Sequence, residues 1–385
     1  MPFISAGDGD LKKVFITDAW LIEQYVGDRL WLSGDNTDGQ IGNNTITNYS
    51  NLVQTTGTAI TWKQVDTNYS STVAVKTDGT LWTWGRNDVG ELGDNSITHR
   101  SSPVQTVAFG TNWKQASKGL YTIGAIKNDG TLWLWGSNTY GTLADNTTTN
   151  RSSPVQTVAF GNNWIQVSCG NEHSAAIKSD GTLWLWGFNA YGQLGDNSIL
   201  NRSSPVQTVA GGNTWKQVSC GYRQTAAIKN DGTLWAWGNN GYGQLGDNTI
   251  VDKSSPVQTI GNANSWKQVS GGSDFVSAVK TDGTLWCWGL NSSGQLGDNT
   301  ILSKSSPVQT IAYGTNWKTV DCGAVHMGAL KNDGTFWLWG NNASGQLADG
   351  STTDRSSPVQ TALGGFNWKY LSCGNINSAA VTNGN

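Results

Sequence analysis

The sequence predicts an all-β protein, a seven-bladed β-propeller of four-stranded antiparallel blades closed by pairing of its N- and C-terminal segments. Three observations predict it. The stretch Asp180-Gly181-Thr182-Leu183-Trp184-Leu185-Trp186-Gly187 recurs along the chain, its first tryptophan falling at Trp31, Trp82, Trp133, Trp184, Trp235, Trp286 and Trp337, every step being 51 residues. A fixed period of that size means tandem duplication of one supersecondary unit. Each unit holds four short strand candidates, and four antiparallel strands in about 50 residues describe a propeller blade. Finally, 20 of the 21 tryptophans occupy three repeat positions, Trp20 being the outlier. A residue repeated without regard to which blade carries it reads as packing between blades.

The unit from Trp164 to Thr214 represents the others. Trp164-Ile165-Gln166-Val167-Ser168-Cys169-Gly170 is a strand ending in small residues, fit for the crowded central axis. Ser174 to Lys178 is a second strand, and Ser179-Asp180-Gly181 supplies the tight turn into a third, Thr182 to Gly187. Alternation places Trp184 and Trp186 on one face of that strand and Leu183 and Leu185 on the other; both faces meet neighbouring blades, so both are apolar. A long loop, Phe188 to Arg202, precedes Ser203 to Val209, the fourth strand. Pro205 near its start fits an edge strand, and six of the seven prolines hold this position.

Counting strands sets the closure. Seven copies exist of the third and fourth strands, but the first-strand position occurs eight times, at Leu11 and then from Trp62 to Trp368. The C-terminal copy keeps the tryptophan and the Ser-Cys-Gly end. The N-terminal copy has Phe15-Ile16-Thr17 where small residues belong. Residues 368–381 are therefore expected to pair with residues 28–55, removing two open sheet edges. Residues 28–385 form the propeller and residues 1–26 an N-terminal arm outside it. Phe15, Ile16, Trp20, Leu21, Ile22 and Tyr25 in the arm need burial, so it is expected to dock on a virion or scaffold protein.

Composition excludes several functions. Charged residues are 13% and the formal net charge is -3, leaving no basic footprint for nucleic acid. No apolar run approaches the ~20 residues that span a bilayer, and the N-terminus carries no secretory pattern. Four of the five cysteines (Cys169, Cys220, Cys322, Cys373) share one repeat position, which speaks against a disulfide framework. Cys169 with His173, and Cys322 with His326, have a ligand-like spacing. The pairs stand three repeats apart and each offers two ligands, so no metal or cofactor is expected. Asp94, Asp145, Asp196, Asp247, Asp298 and Asp349 each precede Arg or Lys by six residues; one carboxylate per loop is too few for calcium, and ion pairing within the loop is the expected role.

The run Cys169-Gly170-Asn171-Glu172-His173, with Gly181-Thr182-Leu183-Trp184-Leu185-Trp186-Gly187, Asn189 and Gly192-Gln193-Leu194-Gly195, resembles the repeat of the regulator of chromosome condensation family. The resemblance covers residues 28–385 and implies a seven-bladed propeller. Its eukaryotic founder is a nucleotide-exchange factor for a nuclear GTPase that uses acidic and histidine residues on one face, an insertion and a basic tail. This chain lacks the insertion and tail and keeps the family histidine only at His173 and His326. The regular, Asn/Thr/Gly-rich version of the repeat looks like propellers of bacteria and bacteriophages.

Repeats also permit a comparison within one chain. The loop after the first strand and the long loop after the third must emerge on one face of the ring. Residues there differ from blade to blade, whereas the opposite face repeats Lys-x-Asp-Gly almost unchanged from Lys76 to Lys331. Tyr69, Arg86, Tyr121, Tyr140, Glu172, Phe188, Tyr191, Tyr222, Arg223, Tyr242, Phe275 and His326 are the expected ligand-binding set, since aromatic and polar groups on a rigid platform suit glycan or protein recognition. No catalytic constellation is found. The expected function is a non-enzymatic virion component, assembled in a host cytoplasm, that engages a glycan or another virion protein; the alternative is a cytoplasmic protein-interaction scaffold.

Overall fold

Four strands of the representative unit, Trp164–Cys169, His173–Lys178, Leu183–Gly187 and Arg202–Gln207, form one antiparallel sheet in that order. The computed structural model describes residues 28–56, 61–108, 110–158, 161–210, 212, 214–261, 264–311, 314–364 and 367–383. Five further units repeat the arrangement, giving blades 1 to 6 that begin at Trp62, Trp113, Trp164, Trp215, Trp266 and Trp317. The seventh sheet joins the chain ends in the order 49–54, 30–34, 377–382, 368–373. Leu30 pairs with Val381 and the register runs unbroken to Gly34 opposite Asn377. The C-terminal copy thus supplies the inner strands of the closing blade, as the count requires. The N-terminal arm, with its six apolar docking candidates, lies outside the described residues.

The core lies between blades. Facing blades 2 and 3, Leu132, Leu134 and Leu143 pack on Trp164, Val167 and Trp186; facing blades 3 and 4, Leu183, Leu185 and Leu194 pack on Trp215 and Trp237. The two faces of one strand therefore serve two different interfaces, as alternation demands. Burying an indole of ~200 Å² at ~25 cal/mol/Å² contributes up to roughly 5 kcal/mol. The closing blade makes the same contacts on both sides, Trp368 on Phe336 and Leu338, and Leu30 and Leu32 on Trp62.

Polar repeats fix this packing. The lysine of each Lys-x-Asp-Gly turn lies over two indoles, Lys229 Nζ being 4.9 Å from the Trp215 ring and 4.4 Å from that of Trp235. Asp231 accepts hydrogen bonds from the Thr233 amide and hydroxyl, and that hydroxyl accepts Trp235 Nε1 at 2.9 Å. The uniformity of this face is therefore structural. Inner strands are stitched by side-chain amides: Gln166 Nε2 donates to the Val218 carbonyl while its Oε1 accepts the Val218 N–H, both at 3.0 Å.

Candidate functional site

The long loops are platforms, and their sequence explains why. Asn189 is fully buried; its Nδ2 donates to Asp196 Oδ1 and to the carbonyls of Ser198 and Leu200, and its Oδ1 accepts the Leu194 N–H. Asp196 in turn receives Nε and Nη2 of Arg202 at 3.0 and 2.8 Å. The expected pairing with the cation six residues on is present in all six loops. It is tight with arginine and looser with Lys253 and Lys304, both 3.9 Å from their carboxylates. Gly195, at φ +66°, seats the loop on the next blade: a methyl there would come within 2.7 Å of Trp237 Nε1.

On these platforms the aromatic and basic candidates gather into two clusters. The first joins blades 1 and 2. The Arg86 guanidinium carbon is 5.5 Å from the centroids of both Tyr69 and Tyr121, whose rings meet edge-on at 5.7 Å. Tyr69 holds φ +50°, a conformation that favours glycine, so its position is kept at a cost. Asp88 accepts Arg86 Nε and binds His99 at 2.8 Å, and Asp38 of the closing blade lies 3.4 Å from the same imidazole.

The second cluster spans blades 2 to 4. Tyr140 contacts Phe188 at 4.8 Å, and Phe188 contacts Tyr191 at 6.3 Å. Arg223 lies 4.8 Å from both Tyr191 and Tyr222 and donates Nη1 to the Tyr191 hydroxyl at 3.0 Å. Its Nε is buried with no acceptor among the described residues. Burial pushes the carboxyls of Glu172 and Asp274 up, against the opposing pull of Arg223. Tyr242 stands apart on the blade 4 loop, 48% exposed.

Two expected site residues are misplaced. Phe275 and His326 are fully buried, as are their counterparts Ser71, Thr122, His173, Gln224 and Asn377. Each is the first residue of a second strand and points inward. The ring of Phe275 leaves no room for a side chain at Gly272, and that of His326 none at Gly323. Both histidines bridge to the next blade, His173 Nε2 to the Thr225 hydroxyl and His326 Nε2 to that of Ser378, at 2.9 Å each. Desolvation lowers them to about 3 and about 4, so they stay neutral. The residue that stays half-exposed is the one before, Asp274 in blade 5.

Sequence reading also missed the mouth of the axis on this face. Tyr69, Leu120, Asn171, Tyr222, Ser273 and Asn375 surround a recess of about 220 Å³ floored by the inner-strand glycines and cysteines. The five cysteines are buried thiols, and burial raises each of them. Among the described residues no group of three or more His, Cys, Asp or Glu is placed to hold a metal, and no helix is long and apolar enough to cross a membrane.

Comparison with known proteins points one way. A family model described as an RCC1-like domain matches residues 26–310 and 113–385. The ultraviolet-B receptor UVR8 of Arabidopsis thaliana is 32% identical over 319 residues, covering 80% of this chain and 72% of that protein. The E3 ubiquitin-protein ligase HERC2 of Homo sapiens is 30% identical over 341 residues, which cover 83% of this chain and 7% of the ligase. Among solved structures, Prp20p of Saccharomyces cerevisiae, studied for its binding to Gsp1p and histones, superposes with a TM-score of 0.83 at 20% identity, covering 93% of this chain and 92% of that one. At that identity the likeness is one of fold.

Proposed function

Since the chain belongs to the RCC1-like domain family, we propose that it is a non-enzymatic protein-interaction scaffold whose partner binds the varied face. The relatives named above come from a plant, a mammal and a yeast, which favours a cellular scaffold. They give no support to the bacterial or bacteriophage version of the repeat, and the reading as a virion component is set aside. Ligase activity is not carried over from HERC2, because the match leaves most of that protein uncovered.

One observation carries the proposal: two arginine–aromatic clusters stand on the varied face, each drawn from more than one blade. Guanidinium and tyrosine are the groups that dominate protein interfaces when desolvated. A glycan fits less well. Its pyranose rings need a flat exposed indole or phenol, whereas these rings are half-buried and turned edge-on to one another.

The test is proximity labelling in the source cells with the wild-type chain and with R86A/R223A. Partners enriched by wild type should be lost with that pair and kept with K253Q/K304Q, while the melting temperature of R86A/R223A stays within a few degrees. Unchanged enrichment by R86A/R223A would sink the assignment.

A further inference from the structure

We infer that the opposite mouth of the axial channel, on the Lys-x-Asp-Gly side, is a binding site for a small soluble anion of the polyphosphate class. The second residue of every inner strand lies at this end of its strand, and in six of seven blades it is lysine: Lys63, Lys114, Lys216, Lys267, Lys318 and Lys369, with Ile165 in blade 3. Residues 51 apart in the chain thus meet around one axis.

Five of these lysines border two cavities. On one wall Lys267, Lys318 and Lys369 border a cavity of about 430 Å³ that continues inward to Tyr370 and Ser372. On the other, Lys63 and Lys114 border one of about 440 Å³ that also reaches Tyr370. Lys63 Nζ donates to the Lys114 carbonyl at 3.2 Å and Lys267 Nζ to that of Lys318 at 3.4 Å, so these ammonium groups lie along the rim instead of splaying into solvent. Among the described residues only Lys369 of the six forms an ion pair, with Asp28. The turn lysines of the same face lie over tryptophans and beside the turn aspartates, whose carboxyls are held low by hydrogen bonds such as those from Thr233 to Asp231, so those charges offset one another and the axial lysines carry the excess.

Like charges around a protein-walled funnel focus their potential inward and raise the local concentration of anions. Their mutual repulsion is relieved when an anion binds. Six flexible point charges, with no planar arginine fork among them, suit clustered phosphates better than a single carboxylate. Deeper in the channel stand Asp66 and Asp321, which would oppose an anion if ionised. Both carboxyls are held above the usual range, mainly by desolvation, to about 7 and about 6, so their opposition fades as pH falls through those values. Past the lysine rim the cavity continues inward to Tyr370 and Ser372, a depth that a small soluble anion enters and a flat bilayer does not, which selects a soluble ligand over a lipid headgroup.

Calorimetric titration of the full chain with inorganic tripolyphosphate tests this. Wild type should bind one equivalent saturably, and more weakly as salt rises. K267Q/K318Q should weaken binding by about tenfold or more, and I165K, which completes the ring, should tighten it severalfold. K253Q/K304Q, which removes two lysines from the far face, should leave it unchanged. Absence of saturable binding by wild type, equal loss in both double variants, or no gain from I165K would each overturn the assignment. Tighter binding to vesicles containing phosphoinositides than to tripolyphosphate would overturn the choice of a soluble ligand.

Discussion

Replacing Asp66 with serine should stabilise the protein, and increasingly so as pH rises. The fifth residue of each inner strand accepts the backbone N–H of the blade that follows. Ser117, Ser168, Ser219, Ser270 and Ser372 do so through their hydroxyls at 3.0 Å. Asp66 and Asp321 do so through a carboxylate, at 2.9 and 2.8 Å. Desolvation first, and the Asp321 charge second, raise the Asp66 carboxyl from 3.8 to about 7. A displacement of roughly three units corresponds to about 4 kcal/mol lost once the group ionises. Asp66 is enclosed by protein but open to the channel lumen, where solvent screens it, so about 2 kcal/mol is the working figure. For a raised carboxyl the stabilising contribution is complete below the unfolded value near 3.8 and disappears as pH climbs through about 7. Serine keeps the acceptor and removes the charge. Urea unfolding of Asp66→Ser and wild type should give nearly equal stabilities at about pH 4 and an advantage of about 2 kcal/mol for the variant at about pH 8. Taking the difference at each pH cancels the titrating groups that do not interact with Asp66; Asp321, which does, adds to the variant's advantage at high pH. A variant less stable than wild type at the higher pH, or an advantage that does not grow with pH, would refute the reasoning.

The buried histidines should act in the opposite sense. Their depressed values place their stabilising contribution above about pH 6.5, and it is lost as pH falls. H173Q/H326Q, which copies the residue at Gln224, should retain about 2 kcal/mol per site that wild type loses by about pH 5, read from melting temperature against pH. In the long loop, Asp196→Ala strands the Asn189 amide and the Arg202 guanidinium and should cost about 2–3 kcal/mol, whereas Arg202→Ala, at a half-exposed side chain, should cost about 1 kcal/mol or less in the same denaturation assay. Deleting residues 368–385 removes both inner strands of the closing blade and should abolish the cooperative transition seen by circular dichroism. Deleting residues 1–26 should preserve that transition; loss of it would tie the arm to the ring.

The strand order, the blade number and the closure were legible in the chain itself. A 51-residue period with turn chemistry at fixed offsets dictates four strands per unit, and the eighth first-strand copy, with Phe15-Ile16-Thr17 in place of small residues, disqualifies the N-terminal segment on steric grounds. The loop ion pairs were legible too, because Asp196 and Arg202 lie six residues apart in one loop. Local pattern failed where a position's meaning depends on the next blade. Phe275 and His326 look like loop residues, yet the glycine spaces beside them and the hydroxyl of Ser378 draw them inward. Lys229 looks like a surface charge until Trp215 and Trp235 close over it. Arg86 and Arg223 acquire their tyrosine partners, and the axial lysines acquire one another, only when rotation about the ring axis brings residues of different units together. Sequence reports what each unit shares; contacts between units come from the angle at which one blade meets the next, and that angle is set by indole packing across the whole ring.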